Sequence, residues 1–147
     1  MKSLIIYKSV HHGNTKKIAE VIADELGAEL CSPKEVSLSA LNGYELIGFG
    51  SGIYGAGHHK EIRDLVRRLP SAKGKKAFVF STSGTGSREF SRVLISQLSK
   101  KGYKVIGDFA CRGFDTFGPL KLIGGISKGK PDAEDLSQAR EFARTLK

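Results

Sequence analysis

The stretch Leu4-Ile5-Ile6-Tyr7-Lys8-Ser9-Val10-His11-His12-Gly13-Asn14-Thr15-Lys16-Lys17-Ile18-Ala19 decides how the rest of the chain reads. The apolar run from Leu4 to Tyr7 fits a strand buried on both faces, as inside a parallel sheet. Ile18, Ile22 and Leu26 then recur at four-residue spacing, the stripe of an amphipathic helix. Between the two lies a short polar loop containing Gly13. A strand that passes straight into a helix in this way is the first half of a βαβ unit, so an α/β fold on parallel strands is expected.

Outward from that stretch the same rhythm repeats. Apolar runs occur at Leu46-Ile47-Gly48-Phe49, Ala77-Phe78-Val79-Phe80 and Tyr103-Lys104-Val105-Ile106, with a weaker one at Ala28-Glu29-Leu30-Cys31. Helical stripes fall between and after them: Ile62, Leu65, Val66 and Leu69; Phe90, Leu94 and Leu98; Leu136, Ala139, Ala143 and Leu146. Asp132 stands where an N-cap belongs, with Asp135 three residues on favouring the positive helix end. The 147 residues therefore predict one domain over 1–147, with five strands and four helices in a doubly wound sheet whose crossovers are right-handed.

In such sheets ligands bind beyond the carboxyl ends of the strands, near the point where strand order reverses. Three loops there are unusual. The first, Ser9 to Thr15, combines small hydroxyl side chains, a glycine and a helix start, which together suit a phosphate. Taken alone it reads equally well as an ordinary turn capped by Asn14 or Thr15. It carries neither the dinucleotide-binding glycine pattern nor the Walker glycine-lysine-serine/threonine, which argues against triphosphate hydrolysis. His11 and His12 lack a carboxylate or thiol at ligand spacing, so hydrogen bonding at a phosphate edge is expected of them in place of metal binding.

The second loop runs Gly50-Ser51-Gly52-Ile53-Tyr54-Gly55-Ala56-Gly57-His58-His59, where glycines leave room for a planar ligand and Tyr54 offers a ring to stack on it. The third, Ser81-Thr82-Ser83-Gly84-Thr85-Gly86-Ser87, has amides and hydroxyls suited to the edge of a heterocycle, and Ser87 is also placed to cap the next helix. All three should converge at one end of the sheet.

Lysine and arginine outnumber acids 24 to 15, a formal charge of +9. The cations are scattered through Lys16-Lys17, Arg67-Arg68, Lys75-Lys76 and Lys100-Lys101 without interleaved aromatics, so a solvated basic surface is expected, with no nucleic acid and no membrane as partner. No apolar run approaches the roughly 18 residues of a membrane span and no signal-peptide core is present, which predicts a cytoplasmic protein. Cys31 and Cys111 lie far apart without metal-ligand neighbours and are read as reduced structural thiols.

The three loops together resemble the flavodoxin family. Ser9-Val10-His11-His12-Gly13-Asn14-Thr15 is similar to the family's phosphate loop, a Ser/Thr-rich stretch ending Gly-Asn-Thr, and the likeness continues through Gly50-Ser51-Gly52-Ile53-Tyr54-Gly55 and Ser81-Thr82-Ser83-Gly84-Thr85-Gly86 into the tail Gly113-Phe114-Asp115-Thr116-Phe117-Gly118-Pro119. The resemblance implies a three-layer αβα fold with a five-stranded sheet in order 2-1-3-4-5, and a non-covalently held FMN. It implies a shuttle of electrons between a reductase and an acceptor protein. By position, Ser9, His11, His12, Gly13, Asn14 and Thr15 would take the phosphate. Ser51, Gly52, Ile53, Tyr54 and Gly55 would form the first flavin-ring loop, with Tyr54 over one face, and Ser81, Thr82, Ser83, Gly84, Thr85 and Gly86 the second. The family's turning of a first-loop peptide toward flavin N5 would fall to Gly52, Gly55 or Gly57.

Three departures set this chain apart from that pattern. It is basic where well-studied flavodoxins are acidic. The acids that usually follow the first-loop aromatic are replaced by Gly55-Ala56-Gly57-His58-His59-Lys60, whose positive character predicts a less negative second reduction potential. The second loop has no tyrosine for the outer flavin face, which leaves that face open to a small substrate or covered by Phe114 or Phe117. An open face supports the alternative of a flavodoxin-like oxidoreductase acting directly on a quinone or protoporphyrinogen. The segment from Cys111 to Lys130 is expected either to form a lid or to bury Phe114, Phe117, Leu120 and Leu122 on the core.

Overall fold

A computed structural model describes residues 1–10, 12–116 and 118–147. In chain order the strands are β1 (Ser3–Lys8), β2 (Glu29–Cys31), β3 (Leu46–Tyr54), β4 (Gly57–His58), β5 (Lys76–Ser83) and β6 (Lys104–Arg112). The helices are α1 (Asn14–Leu26), α2 (Lys60–Arg68), α3 (Arg92–Lys100) and α4 (Ala133–Thr145), with single 3₁₀ turns at Ser39–Gly43, Arg88–Ser91 and Gly118–Ile123. Five strands pair in parallel in the order β2-β1-β3-β5-β6. This is the expected doubly wound order, with β4 as an addition.

β4 is antiparallel to β3 and joined to it by Gly55 and Ala56, which take φ of 56° and 68°. Two positive φ values in a two-residue loop are what a type I′ hairpin requires, and glycine supplies the first without strain. The hairpin was not legible in the sequence because its second strand is only two residues long. β3 continues through Tyr54 and β5 through Ser83, so Gly50–Tyr54 and Ser81–Ser83, expected as loops, are strand. Their small residues hid them: glycine and serine lack the branched side chains that mark a strand.

The alternation of the sheet divides the core in two. Leu4, Ile6, Ile47, Phe49 and Val79 face α2 and α3, packing on Ile62, Leu65, Leu94 and Leu98. Ile5, Leu46, Phe78 and Phe80 face α1 and α4, packing on Ile18, Ile22, Ala139 and Ala143. Phe78 and Phe80 fit only because their neighbours across the β3–β5 ladder are Gly48 and Gly50, where an added Cβ would overlap the rings. Gly50→Ala is therefore expected to destabilise the fold by about 1–3 kcal/mol through overpacking. A second substitution, Phe80→Leu, should recover part of that loss in urea unfolding, and a recovery of nothing would mean the overlap is not the cause.

α4 begins at the expected N-cap, Asp132, and the structure adds a reciprocal bond: Asp132 Oδ1 accepts from Asp135 N at 3.0 Å, and Asp135 Oδ2 accepts from Asp132 N at 2.9 Å. Between β6 and α4 the chain doubles back through an Asp115–Ile126 antiparallel bridge. Leu122 and Ile123 in this segment are 89% and 71% exposed, which corrects the expectation that Leu122 is buried. Phe117 lies outside the described residues.

Candidate functional site

The carboxyl ends of β1, β3 and β5 open onto a cleft with about 530 Å³ of empty space. Its position is the switch point, where the chain's path through the sheet reverses between β1 and β3.

One end of the cleft is the start of α1. Gly13 caps the helix with φ 65°, and His12 before it is also left-handed at φ 58°. No side chain of Asn14 or Thr15 caps the helix, so that alternative reading of the loop does not hold. Both side chains are directed elsewhere: Thr15 Oγ1 lies 2.9 Å from Thr82 Oγ1, and Asn14 Nδ2 donates to the Phe114 carbonyl at 2.9 Å. Ser9 Oγ accepts from Lys16 N at 3.2 Å, closing the loop against the first turn. The result is a helix N-terminus with positive dipole, lined by hydroxyls, which is suited to an anion.

Asn14, Thr15, Gly52, Ile53, Tyr54, Gly55, Thr82, Ser83 and Gly84 of the expected residues all line the cleft. The other expected residues that are described sit off it. Ser51 and Ser81 are fully buried: they follow Phe49 and Val79 by two residues, so strand alternation turns them under α2 and α3. Ser51 Oγ accepts from His59 N at 2.9 Å and donates to Gly52 O at 2.6 Å, tying β3 to the entry of α2. Thr85 is exposed, and Gly86 N donates to Ser83 Oγ at 2.8 Å in a tight turn. His12 is exposed, with Nε2 at 3.0 Å from Thr116 Oγ1 and its ring 4.4 Å from that of Phe114. His11 lies outside the described residues.

Val10, Gly113, Phe114 and Asp115 also line the cleft, and of these the sequence anticipates only Phe114, as a cover for the outer flavin face. Three of them come from the end of β6 and the segment after it, brought in by the Gly113 N to Ser83 O hydrogen bond of 2.8 Å. Glycine is needed at 113 because a Cβ there would press on the Asn14 amide, and at 84 because one would overlap Ile126. Local patterning carries no sign of these contacts, which join residues about 100 positions apart.

Burial, with the Asp115 charge adding to it, raises the Tyr54 phenol, which therefore stays protonated; its ring stands edge-on to His59 at 5.2 Å. His58 and His59 are both occupied structurally. His58 is 2% exposed and its Nε2 donates to Phe80 O at 3.0 Å, and burial pushes its pKa down to about 4. His59 Nδ1 accepts from Glu61 N at 3.0 Å as the N-cap of α2, and desolvation lowers its pKa as well. The expectation that His58 and His59 add positive charge beside the ring site is corrected accordingly: His58 is neutral at pH 7, and an N-cap acceptor nitrogen is an unprotonated one.

Among the described residues no group of histidine, cysteine and carboxylate side chains is arranged to hold a metal ion. Burial raises both thiols, Cys31 to about 11 and Cys111 to about 12, which makes them poor nucleophiles. Among the described residues, no helix is long and apolar enough to cross a membrane.

A flavodoxin domain family model matches residues 4–113, which takes in all three loops and ends where the irregular segment begins. An uncharacterized protein of Methanocaldococcus jannaschii is 45% identical over 99% of this chain and 98% of its own length. A flavodoxin-like domain-containing protein, BilS, of Clostridioides difficile is 29% identical over 94% of this chain and 81% of its own. Among solved structures, a flavodoxin from the domain Archaea superposes with a TM-score of 0.75 at 21% identity, covering 99% of this chain and 96% of that one.

Proposed function

This chain belongs to the flavodoxin domain family, and on that premise we propose that it binds FMN without a covalent bond and serves as an electron carrier between redox proteins. The observation that carries the reading is the joining of an anion-ready helix start to the cleft lined by Tyr54 and Gly84 through the Thr15–Thr82 contact. Ser9 and the first turn of α1 would hold the phosphate, Tyr54 would lie against the ring, and Thr82 to Gly84 would meet its edge. The residues fit such a group. Asn14 Oδ1 is buried with no hydrogen-bond partner, and Gly84 and Gly113 keep the walls free of side chains.

FMN supplies the one- and two-electron chemistry that these side chains lack. The protein's part is to bind and orient it, and to set the polarity around it. A carrier needs no acid–base pair of its own. His58 and His59, the titratable groups next to the hairpin, are committed to backbone hydrogen bonds.

A second reading, direct action on a small substrate, is favoured by one feature: a further hollow of about 560 Å³ beyond Tyr54, between the β3–β4 hairpin and α3, walled by Phe90, Val93 and Leu94. The test is to load the protein with FMN and follow its absorption. A yellow protein that releases FMN on denaturation, resists NAD(P)H alone and is reduced through a protein reductase is expected. Rapid reduction by NAD(P)H with quinone turnover would favour the second reading, and failure to take up FMN would remove both.

A further inference from the structure

Cations that are scattered in the sequence are gathered by the fold at the pole opposite the cleft. Arg67 and Arg68 end α2, and Lys100 and Lys101 end α3. Lys73 and Lys75 lie in the connection that follows α2, while Lys76 and Lys104 open β5 and β6 and face each other across the ladder. Backbone hydrogen bonds bind these pieces into one surface: Ala72 N to Lys101 O at 2.8 Å, Gly74 N to Gly102 O at 2.7 Å, and Lys104 N to Lys75 O at 2.9 Å.

Two of the eight are turned to structural use. Lys75 Nζ donates to Leu41 O and Tyr44 O, and Lys101 Nζ donates to Arg67 O and Leu69 O at the end of α2. The other six are exposed, and among the described residues Arg67 alone of them is in an ion pair, with Asp64 at 3.0 Å. Glu45, which accepts from Lys2 N, lies beside Lys73 and Lys76 on the strand-start side. With Asp64 and Glu45 set against these eight cations, six of the chain's formal excess of +9 reside here.

Against the expectation from the sequence that no membrane is a partner, we propose that this pole, gathered by the fold, seats the protein on an anionic membrane surface. It is not the face that exchanges electrons, because the eight-residue β5 separates it from the cleft by about 26 Å. It is broad and blunt, assembled from two helix ends, a connection and two strand starts. None of these elements projects to enter a nucleic-acid groove. Among the described residues, Met1 is the one large exposed apolar side chain at this pole, beside Lys73 and Lys76, while Val10, Leu30, Val93, Leu122 and Ile123 lie on other elements, so the pole has too little apolar surface to anchor a protein interface. A diffuse array of lysines without such anchors recognises charge density, which an anionic leaflet provides. The seating leaves the cleft facing away from the lipid and open to soluble partners, and it does not depend on FMN.

The experiment is co-sedimentation of the full chain with vesicles, either pure phosphatidylcholine or containing about one-third phosphatidylglycerol, in about 0.1 M salt. Binding to the anionic vesicles alone is expected. The variant Lys73→Glu/Lys76→Glu/Lys104→Glu should lose at least about 10-fold in partitioning, while Lys34→Glu/Lys60→Glu/Lys128→Glu, with the same change in net charge, should lose less than about 3-fold. Far-UV circular dichroism of both variants controls for folding. Absence of binding to anionic vesicles, equal losses in the two variants, or tighter pole-dependent binding to a short DNA duplex than to the vesicles would each overturn the proposal.

Discussion

Ser9→Asp is expected to weaken FMN binding by about 100-fold while leaving riboflavin binding within about 3-fold. Ser9 Oγ accepts from Lys16 N in the first turn of α1. A carboxylate at this position is an equally good acceptor and interacts favourably with the helix dipole, so folding stability should hold or rise slightly. The same carboxylate stands where the phosphate is proposed to bind. Two like charges about 4 Å apart in a partly shielded site repel by up to about 4 kcal/mol, and solvent screening brings this toward the 2.7 kcal/mol of a 100-fold change. Riboflavin has no phosphate and serves as the internal control. Fluorescence titration with both flavins decides the matter: unchanged FMN affinity, or equal losses for both, would place the phosphate elsewhere.

The second large effect is a pH dependence from His58. Its pKa is about 4 in the folded protein, against an ordinary 6.5. Between those values the unfolded chain binds a proton that the folded chain refuses, so stability falls as pH drops from 6.5 toward 4, by on the order of 3 kcal/mol in all. The groups whose pKa values are lowered by lysine and arginine partners, Glu25, Glu61 and Asp132, lose their contribution only as pH falls below their ordinary values of 4.5, 4.5 and 3.8. The window from 6.5 to 4.5 therefore isolates the lowered histidines, His58 and His59, and the substitution at His58 separates one from the other. His58→Gln keeps a donor for the Phe80 carbonyl and has nothing to titrate. Urea midpoints measured across that window should slope for the parent and lie flatter for the variant. Parallel slopes would show that His58 is not the group responsible.

Much of the site is visible in residue order because its physics is local. A strand, a glycine and a helix start are read from consecutive residues, and Ser9 to Thr15 offers an anion site that becomes the favoured reading once the two later loops are read with it. The reading failed where side-chain direction was at stake. Ser51 and Ser81 look like their neighbours Gly52 and Thr82, yet strand alternation turns the serines beneath α2 and α3 while Gly52 and Thr82 line the cleft. His58 and His59 look like a pair of cations beside the ring site. One is neutralised by burial, and the other serves as a cap through an unprotonated nitrogen.

The sequence by itself determined the βαβ rhythm, the doubly wound parallel sheet and the N-cap of α4, because apolar periodicity and capping chemistry act over a few residues, while the strand order came from the resemblance to flavodoxins. Only the tertiary structure decided which atoms share the cleft and where the charge lies. Gly113, Phe114 and Asp115 reach the start of α1 through contacts about 100 residues long, and lysines from separate elements meet at one pole because parallel strands start, and their helices end, on the same side of the sheet. Such convergence depends on how elements are packed together, and no local stretch of chain encodes it.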